Sequence, residues 1–349
     1  MSFTIGWQST NHSMNLDKVQ IERRDLRPDD VAVQIDFCGV CHSDLHAIHG
    51  LMNKPTDELV PGHEFTGTVK AVGSDVKKFQ PGDKVAVGTI VDSCGECAMC
   101  KIGQENFCLN GVVTTYGGTD RIDGSITKGG YSRQYIVREK FAYHLPEGLD
   151  PAASAPLMCA GITMWEPLQS AHIGEGSKVA IVGLGGLGHL GVKLAARLGA
   201  EVTVLSHTPG KMDDAKRLGA VDTVVTTSED DMKRVFGKFD LILDTVAAPH
   251  ELSPLLRLLA FEGTLSVVGA PLPTEVKLIE LAIGRKKLTS SGTGGTKHTQ
   301  ELLDFCAKHD ISADVEVMPS GKVSDALVRL EKGDVHYRFV LDMSDLDQA

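Results

Sequence analysis

Long hydrophobic runs are missing from this 349-residue sequence. Its most apolar stretches, such as 178–188 (KVAIVGLGGLG), are short and broken by glycine. Nothing approaches the roughly 20 apolar residues that a membrane-crossing helix needs, so no membrane association is expected. A surplus of positive charge is missing as well. With 35 Lys and Arg against 46 Asp and Glu, the net charge of -11 gives no phosphate-neutralising surface, and nucleic acid is not an expected partner. Low-complexity tracts, long like-charge runs and repeats of solenoid length are absent too. The first twenty residues lack a basic region followed by an apolar one, so a cytoplasmic location is expected. What remains is a composition of 42% hydrophobic and 23% charged residues in a chain too long for one ordinary core, which implies about two domains.

Two textures divide the chain. From about residue 178, short Val/Ile-rich runs alternate with helical patterns: KVAIVG, HLGVKLAARLGA, EVTVLS, KMDDAKRLGA, DTVVTT, DMKRVF, DLILDTV, ELSPLLRLLA, GTLSVVGA. This alternation predicts a doubly wound parallel sheet of the α/β class. Residues 1 to about 150 instead carry strands such as DVAVQIDFC, EFTGTVKAV and KVAVGTIV, separated by turns like Pro61-Gly62, Gly73-Ser74 and Pro81-Gly82, which predicts a mostly β, barrel-like unit. After about 296 the helices and final strand of HTQELLDFCAKH and VSDALVRLEKGDVHYRFVLD would not extend the parallel sheet. They are expected to return to the first domain, giving domains of 1–152 with 297–349, and 153–296.

Half of the 8 cysteines crowd into one short lobe, where Cys94, Cys97, Cys100 and Cys108 occur in DSCGECAMCKIGQENFC. The surrounding Gly, Asp, Glu and Asn cannot build an apolar core, so something other than packing must hold it. Four thiolates at this spacing suit tetrahedral zinc, with two disulfides as the alternative. A site closed by four thiolates leaves no position for a substrate, so this zinc is structural. Cys38 and Cys306 fit small buried hydrophobes in a strand and a helix.

The run Gly183, Leu184, Gly185, Gly186, Leu187, Gly188 follows a predicted strand and opens a predicted helix, where glycines allow a pyrophosphate to approach a helix N-terminus. The next strand discriminates between dinucleotides. NAD sites usually end it with a carboxylate on the ribose 2′-hydroxyl, whereas this chain has Ser206, His207 and Thr208, with Lys211 shortly after. Hydroxyls and a lysine at a helix start suit the 2′-phosphate of NADP(H), against the plainer reading of a solvated loop. Cys41 in CGVCHSDLH, His63 with Glu64 in PGHE, and Cys159 in LMCAGIT are further residues of zinc-binding type. Two thiolates and an imidazole with an open fourth position would make a catalytic site, although spacing alone cannot pair them, and each has a structural alternative as core thiol or turn histidine.

Gly62-His63-Glu64-x-x-Gly67-x5-Gly73 followed by Pro81-Gly82-Asp83 resembles the signature of the zinc-containing medium-chain alcohol dehydrogenases. GVCHSDLH, the four-cysteine lobe, LMCAGIT, GLGGLG and HYRFVLD occur in that family's order over essentially the whole chain, which most resembles the NADP-dependent, cinnamyl-alcohol-dehydrogenase-like branch. The resemblance implies a GroES-like catalytic domain at 1–152 and 297–349, and a Rossmann domain at 153–296. It implies Cys41, His63 and Cys159 as catalytic zinc ligands, Glu64 close behind and able to enter the coordination sphere, and Asp44 fixing the His63 tautomer. It assigns Ser43 and His46 to a proton relay and His42 to the pyrophosphate, where many relatives carry arginine. Arg338 is implied near the cofactor phosphates. Thr163, Val268, Ala270, Ser291 and Thr293 are implied around the nicotinamide.

Two departures from the family pattern concern the substrate. An aromatic segment common in plant relatives is replaced by a stretch with Leu51 and Met52, and a polar excursion at 115–132 is expected to carry a mobile tip. With Trp165 nearby, an apolar pocket for aromatic or medium aliphatic aldehydes is expected. The function expected is that of a zinc-dependent alcohol dehydrogenase or aldehyde reductase of the EC 1.1.1 class, working with NADP(H) and two zincs per chain. A homodimer is expected through an edge strand, for which the run GTLSVVGAPLP supplies the candidate residues. The alternatives are an NAD-linked polyol dehydrogenase of the same fold and a catalytically dead, redox-sensing relative.

Overall fold

The computed structural model describes residues 2–51, 57–269 and 274–348. The chain folds as two compact units, Met1–Cys159 with Gly295–Ala349, and Ala160–Gly294.

The first unit is organised by one long strand, Asp30–Val40, whose apolar side chains alternate into the core. Along one edge it pairs antiparallel with Phe65–Val72. Its other edge is shared: Gln134–Arg138 covers residues 30–34 and the late strand Arg338–Asp342 covers residues 37–40. Lys84–Val87, Ala142–His144 and Val315–Pro319 complete a seven-stranded sheet. Ile35, Phe65 and Phe339 are 0% exposed, each contributing about 1.5–3 kcal/mol of burial. The sheet has a direct consequence for chemistry. Gly39 N–H bonds the Glu64 carbonyl at 2.8 Å, so the segment leaving one strand at Cys41 runs beside the segment entering its neighbour at His63.

The second unit is a six-stranded parallel sheet in the order Asp222–Val225, Glu201–Ser206, Lys178–Val182, Phe239–Asp244, Leu259–Val267, Lys287–Ser290. Strand order therefore reverses at Lys178–Val182, the position where open parallel sheets leave a crevice outside their carboxyl ends. Residues 183–188 occupy that position. A Cβ on Gly188 would lie 2.1 Å from the Gly183 carbonyl oxygen, so only glycine lets the helix Gly188–Arg197 start this close to its strand.

Three expectations need correction. The run GTLSVVGA lies on Leu259–Val267, which is second from the edge; the edge is Lys287–Ser290, whose polar KLTS sequence shows no strand period and whose four residues are all exposed. The division falls after Cys159 rather than at 152, because Thr66 Oγ1 donates to the Pro151 carbonyl at 2.8 Å and Ala313 N–H to the Ala153 carbonyl at 3.1 Å. The excursion at 115–132 is tied down: Arg27 donates to Asp120 at 2.9 and 3.0 Å and to Asp123 at 2.7 Å, and Asp120 also bonds the Ile122 amide.

Candidate active site

In the cysteine lobe, Gly95 takes φ +75, and the short helix Ala98–Lys101 starts at Cys97, so the chain folds back on its own thiols. Cys97 Sγ lies 3.5 Å and Cys94 Sγ 3.8 Å from Cys100 Sγ, and all four sulfurs fall within 4.8 Å of one another. A disulfide requires about 2.05 Å, and all eight cysteines are free. That rules out the disulfide alternative. A tetrahedral zinc with Zn–S bonds of about 2.3 Å separates its sulfurs by roughly 3.8 Å. The donor set and its spacing therefore fit zinc. The amides of Glu96 and Cys97 bring the Cys94 thiol down to about 6, favouring the thiolate that a metal binds. Glu105 fastens the lobe to the helix Thr296–His309, accepting from the Thr296 amide at 2.9 Å while pairing with Lys140 at 2.8 Å.

The second set converges on a buried carboxylate. Cys41 caps the helix His42–Ile48, His63 follows the Pro61-Gly62 turn, and Cys159 follows the 3-10 turn Ala155–Met158. His63 Nε2 lies 3.3 Å and Cys41 Sγ 3.9 Å from Cys159 Sγ, close to the roughly 3.5–3.8 Å edges of a tetrahedral zinc site. Asp44, 0% exposed, accepts four bonds: from the Cys41 amide at 3.0 Å, the Gly62 amide at 3.1 Å, His63 Nδ1 at 3.0 Å and Tyr131 Oη at 3.0 Å. The bond to Nδ1 leaves Nε2 as the nitrogen lone pair facing the sulfurs. A bond from Cys159 and the nearby Arg338 charge hold the Cys41 thiol well below the usual range, whereas the half-buried Cys159 thiol, bonded to Cys41 and desolvated, is pushed well up.

Glu64 is also fully buried, with Oε2 unpartnered and Oε1 bonded by Arg338. Burial pushes its carboxyl up against the pull of Arg338. Arg338, expected near phosphates, is thus only 4% exposed and engaged with Glu64, because its strand pairs with residues 37–40. Ser43 and His46 are half-buried one turn apart on the helix His42–Ile48, and His42 at its start is exposed.

Two tyrosines were missed by sequence reasoning. Tyr131 bonds Asp44, while Tyr116 sets its ring edge-on to His63 at 5.8 Å and donates to the Ser43 carbonyl at 3.2 Å. Their signal was faint: two of only five tyrosines bracket the polar excursion. Gly62, at φ +96, leaves room for Tyr131, whose Cδ1 would sit 2.6 Å from a Cβ there. Of the residues expected to shape a substrate pocket, Leu51 is exposed and Met52 lies outside the described residues. Trp165 is buried in the helix Ala160–Ser170 of the second unit. Cys38 and Cys306 are buried.

In the second unit, Gly183 takes φ +86 and a Cβ at Gly185 would meet nothing within 4 Å, which leaves the turn open for a ligand's close approach. The helix Gly188–Arg197 starts directly after this turn, the His189 amide bonding the Gly185 carbonyl at 3.0 Å, and the positive end of its dipole suits a pyrophosphate. Leu184, Gly186 and Leu187 complete this turn. Ser206 ends its strand half-buried, His207 and Thr208 are exposed, and Lys211 Nζ donates to the Leu184 carbonyl at 2.9 Å. One bond leaves two ammonium protons for an anion. Thr163 Oγ1 donates to the Gly292 carbonyl at 2.8 Å, the Val268 amide bonds the Asp244 carbonyl at 2.9 Å, and Thr293 follows two residues after Ser291. Ser291 Oγ is buried without a partner, as a hydroxyl kept for a ligand would be. Ala270 lies outside the described residues.

Comparison with known proteins agrees with both halves of this arrangement. A family model for the alcohol dehydrogenase GroES-like domain matches residues 27–147, and one for zinc-binding dehydrogenases matches residues 186–308. The chain is 45% identical over 348 residues to NADP-dependent alcohol dehydrogenase C 1 of Mycolicibacterium smegmatis, covering 99% of each protein. Among solved structures it superposes on a cinnamyl alcohol dehydrogenase of Sorghum bicolor with TM-score 0.94 and 42% identity, covering 98% of each chain. It superposes on the Helicobacter pylori enzyme complexed with NADP(H) with TM-score 0.91 and 33% identity, again covering 98% of each.

Asp44→Asn turns an amide N–H₂ toward at least one of the four donors around Asp44 and weakens its hold on His63. Zinc affinity at this site should fall roughly 10- to 100-fold, read as faster loss of one of two zincs to a chelator. Chelator resistance equal to wild type would overturn this role.

Proposed function

The chain belongs to the zinc-binding alcohol dehydrogenase family, and on that premise we propose that it works as an NADP-linked, zinc-dependent alcohol dehydrogenase, reducing aldehydes in the cell. The observation that carries this reading is the convergence of Cys41, His63 and Cys159 within 4.8 Å, with His63 oriented by Asp44. Zinc held there supplies Lewis acidity toward an alcohol or carbonyl oxygen, and NADP(H) held at the glycine-rich turn carries the hydride.

The chain's own groups supply orientation and proton transfer. Ser43 takes the proton of the alcohol, or returns one to the nascent alkoxide, since a hydroxyl both donates and accepts. Its backbone is held by Tyr116. His46, one helical turn on and half-buried, passes that proton to solvent. Glu64, buried with a free Oε2 toward its neighbours, is the acidic group able to enter the metal sphere during exchange of water and substrate. His42 is assigned to the pyrophosphate. Thr163, Val268, Ala270, Ser291 and Thr293 are assigned to the nicotinamide end, and Arg338, implied near the cofactor phosphates, pairs with Glu64.

The NADP preference rests on the missing carboxylate at residues 206–208 and on Lys211, which its bond to Leu184 already holds against the glycine-rich turn. Cys94, Cys97, Cys100 and Cys108 hold the second, structural zinc. The substrate class is an aromatic or medium aliphatic alcohol–aldehyde pair. No helix among the described residues is long and apolar enough to cross a membrane. Eight cysteines with no disulfide among them suit the reducing cytoplasm, a placement that cell fractionation checks. The protein is a homodimer through Lys287–Ser290, an exposed edge strand flanked by Phe261, Ile279 and Ile283, which are 67%, 60% and 62% exposed.

The first experiment measures initial rates for benzaldehyde with NADPH and NADH side by side. Faster turnover with NADPH is expected, and NADH turnover that is equal or better would overturn the cofactor assignment. Lys211→Ala should raise the KM for NADPH roughly 10- to 100-fold and that for NADH little; equal effects would remove Lys211 from the 2′-phosphate. Ser43→Ala should lower kcat by about 10²-fold or more with both zincs retained, and unchanged turnover would exclude Ser43 from the relay. Leu288→Glu should yield monomers in light scattering, whereas an intact dimer would place the interface elsewhere.

A further inference from the structure

At the carboxyl end of Phe239–Asp244, the strand beside the one that carries the glycine-rich turn, a buried carboxylate meets a histidine that the chemistry above leaves unused. Asp244 is 0% exposed. Its Oδ1 accepts from the Val246 amide at 3.2 Å, and its Oδ2 lies 2.8 Å from His250 Nε2. The other ring nitrogen, Nδ1, lies 2.8 Å from the Ala248 carbonyl oxygen. With an oxygen 2.8 Å from each ring nitrogen, the imidazole bridges the buried carboxylate and the Ala248 carbonyl. Burial raises the Asp244 carboxyl, and the Val246 amide and His250 draw it back down.

The loop tied in this way, residues 245–250, walls the glycine-rich turn. Thr245 donates twice to the Val182 carbonyl, from its amide at 3.2 Å and its hydroxyl at 2.7 Å. A Cβ on Gly183 would lie 2.9 Å from Thr245 Oγ1 and 3.7 Å from Val246 Cγ2. A Cβ on Gly269 would lie 2.4 Å from the Val246 carbonyl oxygen, and the amides of Val268 and Gly269 both bond the Asp244 carbonyl, at 2.9 and 3.0 Å. The main chain of Asp244 thus fixes one wall of the turn, while its side chain fixes the other through His250.

We propose that His250 is a positioning residue for the dinucleotide: by bridging Asp244 and Ala248 it holds Thr245 and Val246 at the spacing from Gly183 that the bound cofactor requires. The proposal rests on the assignment of the glycine-rich turn to the dinucleotide and is independent of which dinucleotide is preferred. The bonds of the His250 ring go to Asp244 and Ala248 and not to the residues assigned to the 2′-phosphate or to zinc, so its loss should weaken both cofactors alike and leave chemistry in the saturated enzyme untouched.

The test is His250→Gln, which keeps a polar side chain but cannot bridge the two opposed oxygens that the imidazole ring spans. Binding of NADPH and of NADH would be followed by nucleotide fluorescence, alongside steady-state kinetics and zinc content in the full-length holoenzyme. The dissociation constant and KM should rise about tenfold for both dinucleotides, with kcat at saturating cofactor within about twofold of wild type and two zincs retained. Asp244→Asn should give the same split. Unchanged affinity in His250→Gln would overturn the proposal, and so would a fall in kcat with KM unchanged. A loss confined to NADPH would overturn it too, because that pattern belongs to the Lys211 site. If wild-type protein bound neither dinucleotide saturably, the assignment of the turn would fail first, and with it this inference.

Discussion

The Asp44 carboxylate is the constraint around which the first unit is built. It is fully buried and meets four donors from three parts of the chain, the helix start at Cys41, the turn at Gly62 and His63, and Tyr131. A buried carboxylate is costly unless its lone pairs are filled, so those segments are held together by the same interaction that sets the His63 tautomer. The ligand site and the local fold are therefore one arrangement. Glu64 lies beside this arrangement and is answered by Arg338 from the end of the chain, with Gly39 leaving the space: a Cβ there would lie 2.4 Å from Glu64 Oε1.

The second unit works by exclusion of side chains. Gly183 and Gly188 allow a strand, a turn and a helix start to lie closer than any Cβ would permit, and Gly185 leaves open space on the ligand side. Around that opening several polar groups are already committed in pairs, Lys211 to Leu184, Thr163 to Gly292 and His250 to Asp244, while the buried hydroxyl of Ser291 has no partner. A pocket whose walls are pre-bonded loses little freedom when a ligand enters, which is the physical sense of preorganisation. The cysteine lobe is a third solution to the same problem. It has no core, with Ile102 and Leu109 exposed, and its order comes from converging sulfurs and the Glu105 tie.

Much of this was legible in the chain. The glycine-rich turn could be placed because its local requirements, strand before and helix after, lie within about twenty residues. The cysteine lobe was legible for the same reason, since its four donors all fall between Cys94 and Cys108. Cys41, His63 and Cys159 were not pairable by spacing, because their meeting depends on adjacent strands ending side by side and on a turn far along the chain. Only a whole-chain family resemblance joined them beforehand. Tyr116 and Tyr131 stayed hidden since nothing local distinguishes a tyrosine that reaches a buried carboxylate from one in an ordinary loop.

The edge strand Lys287–Ser290 and the Arg338–Glu64 pair show where local pattern ends. KLTS carries no period-2 signal because an exposed edge has no buried face to enforce one, and the pairing of Arg338 with Glu64 is visible only once its strand is seen against residues 37–40. Short-range periodicity and residue chemistry were enough to specify the α/β alternation, the glycine turn, the cysteine lobe and the absence of a carboxylate after the second strand of the parallel sheet. Which distant thiols and imidazole share one site, what each buried charge faces, and which strand lies at the edge were settled by the folded chain alone. Those outcomes depend on long-range pairing that no window of the chain contains.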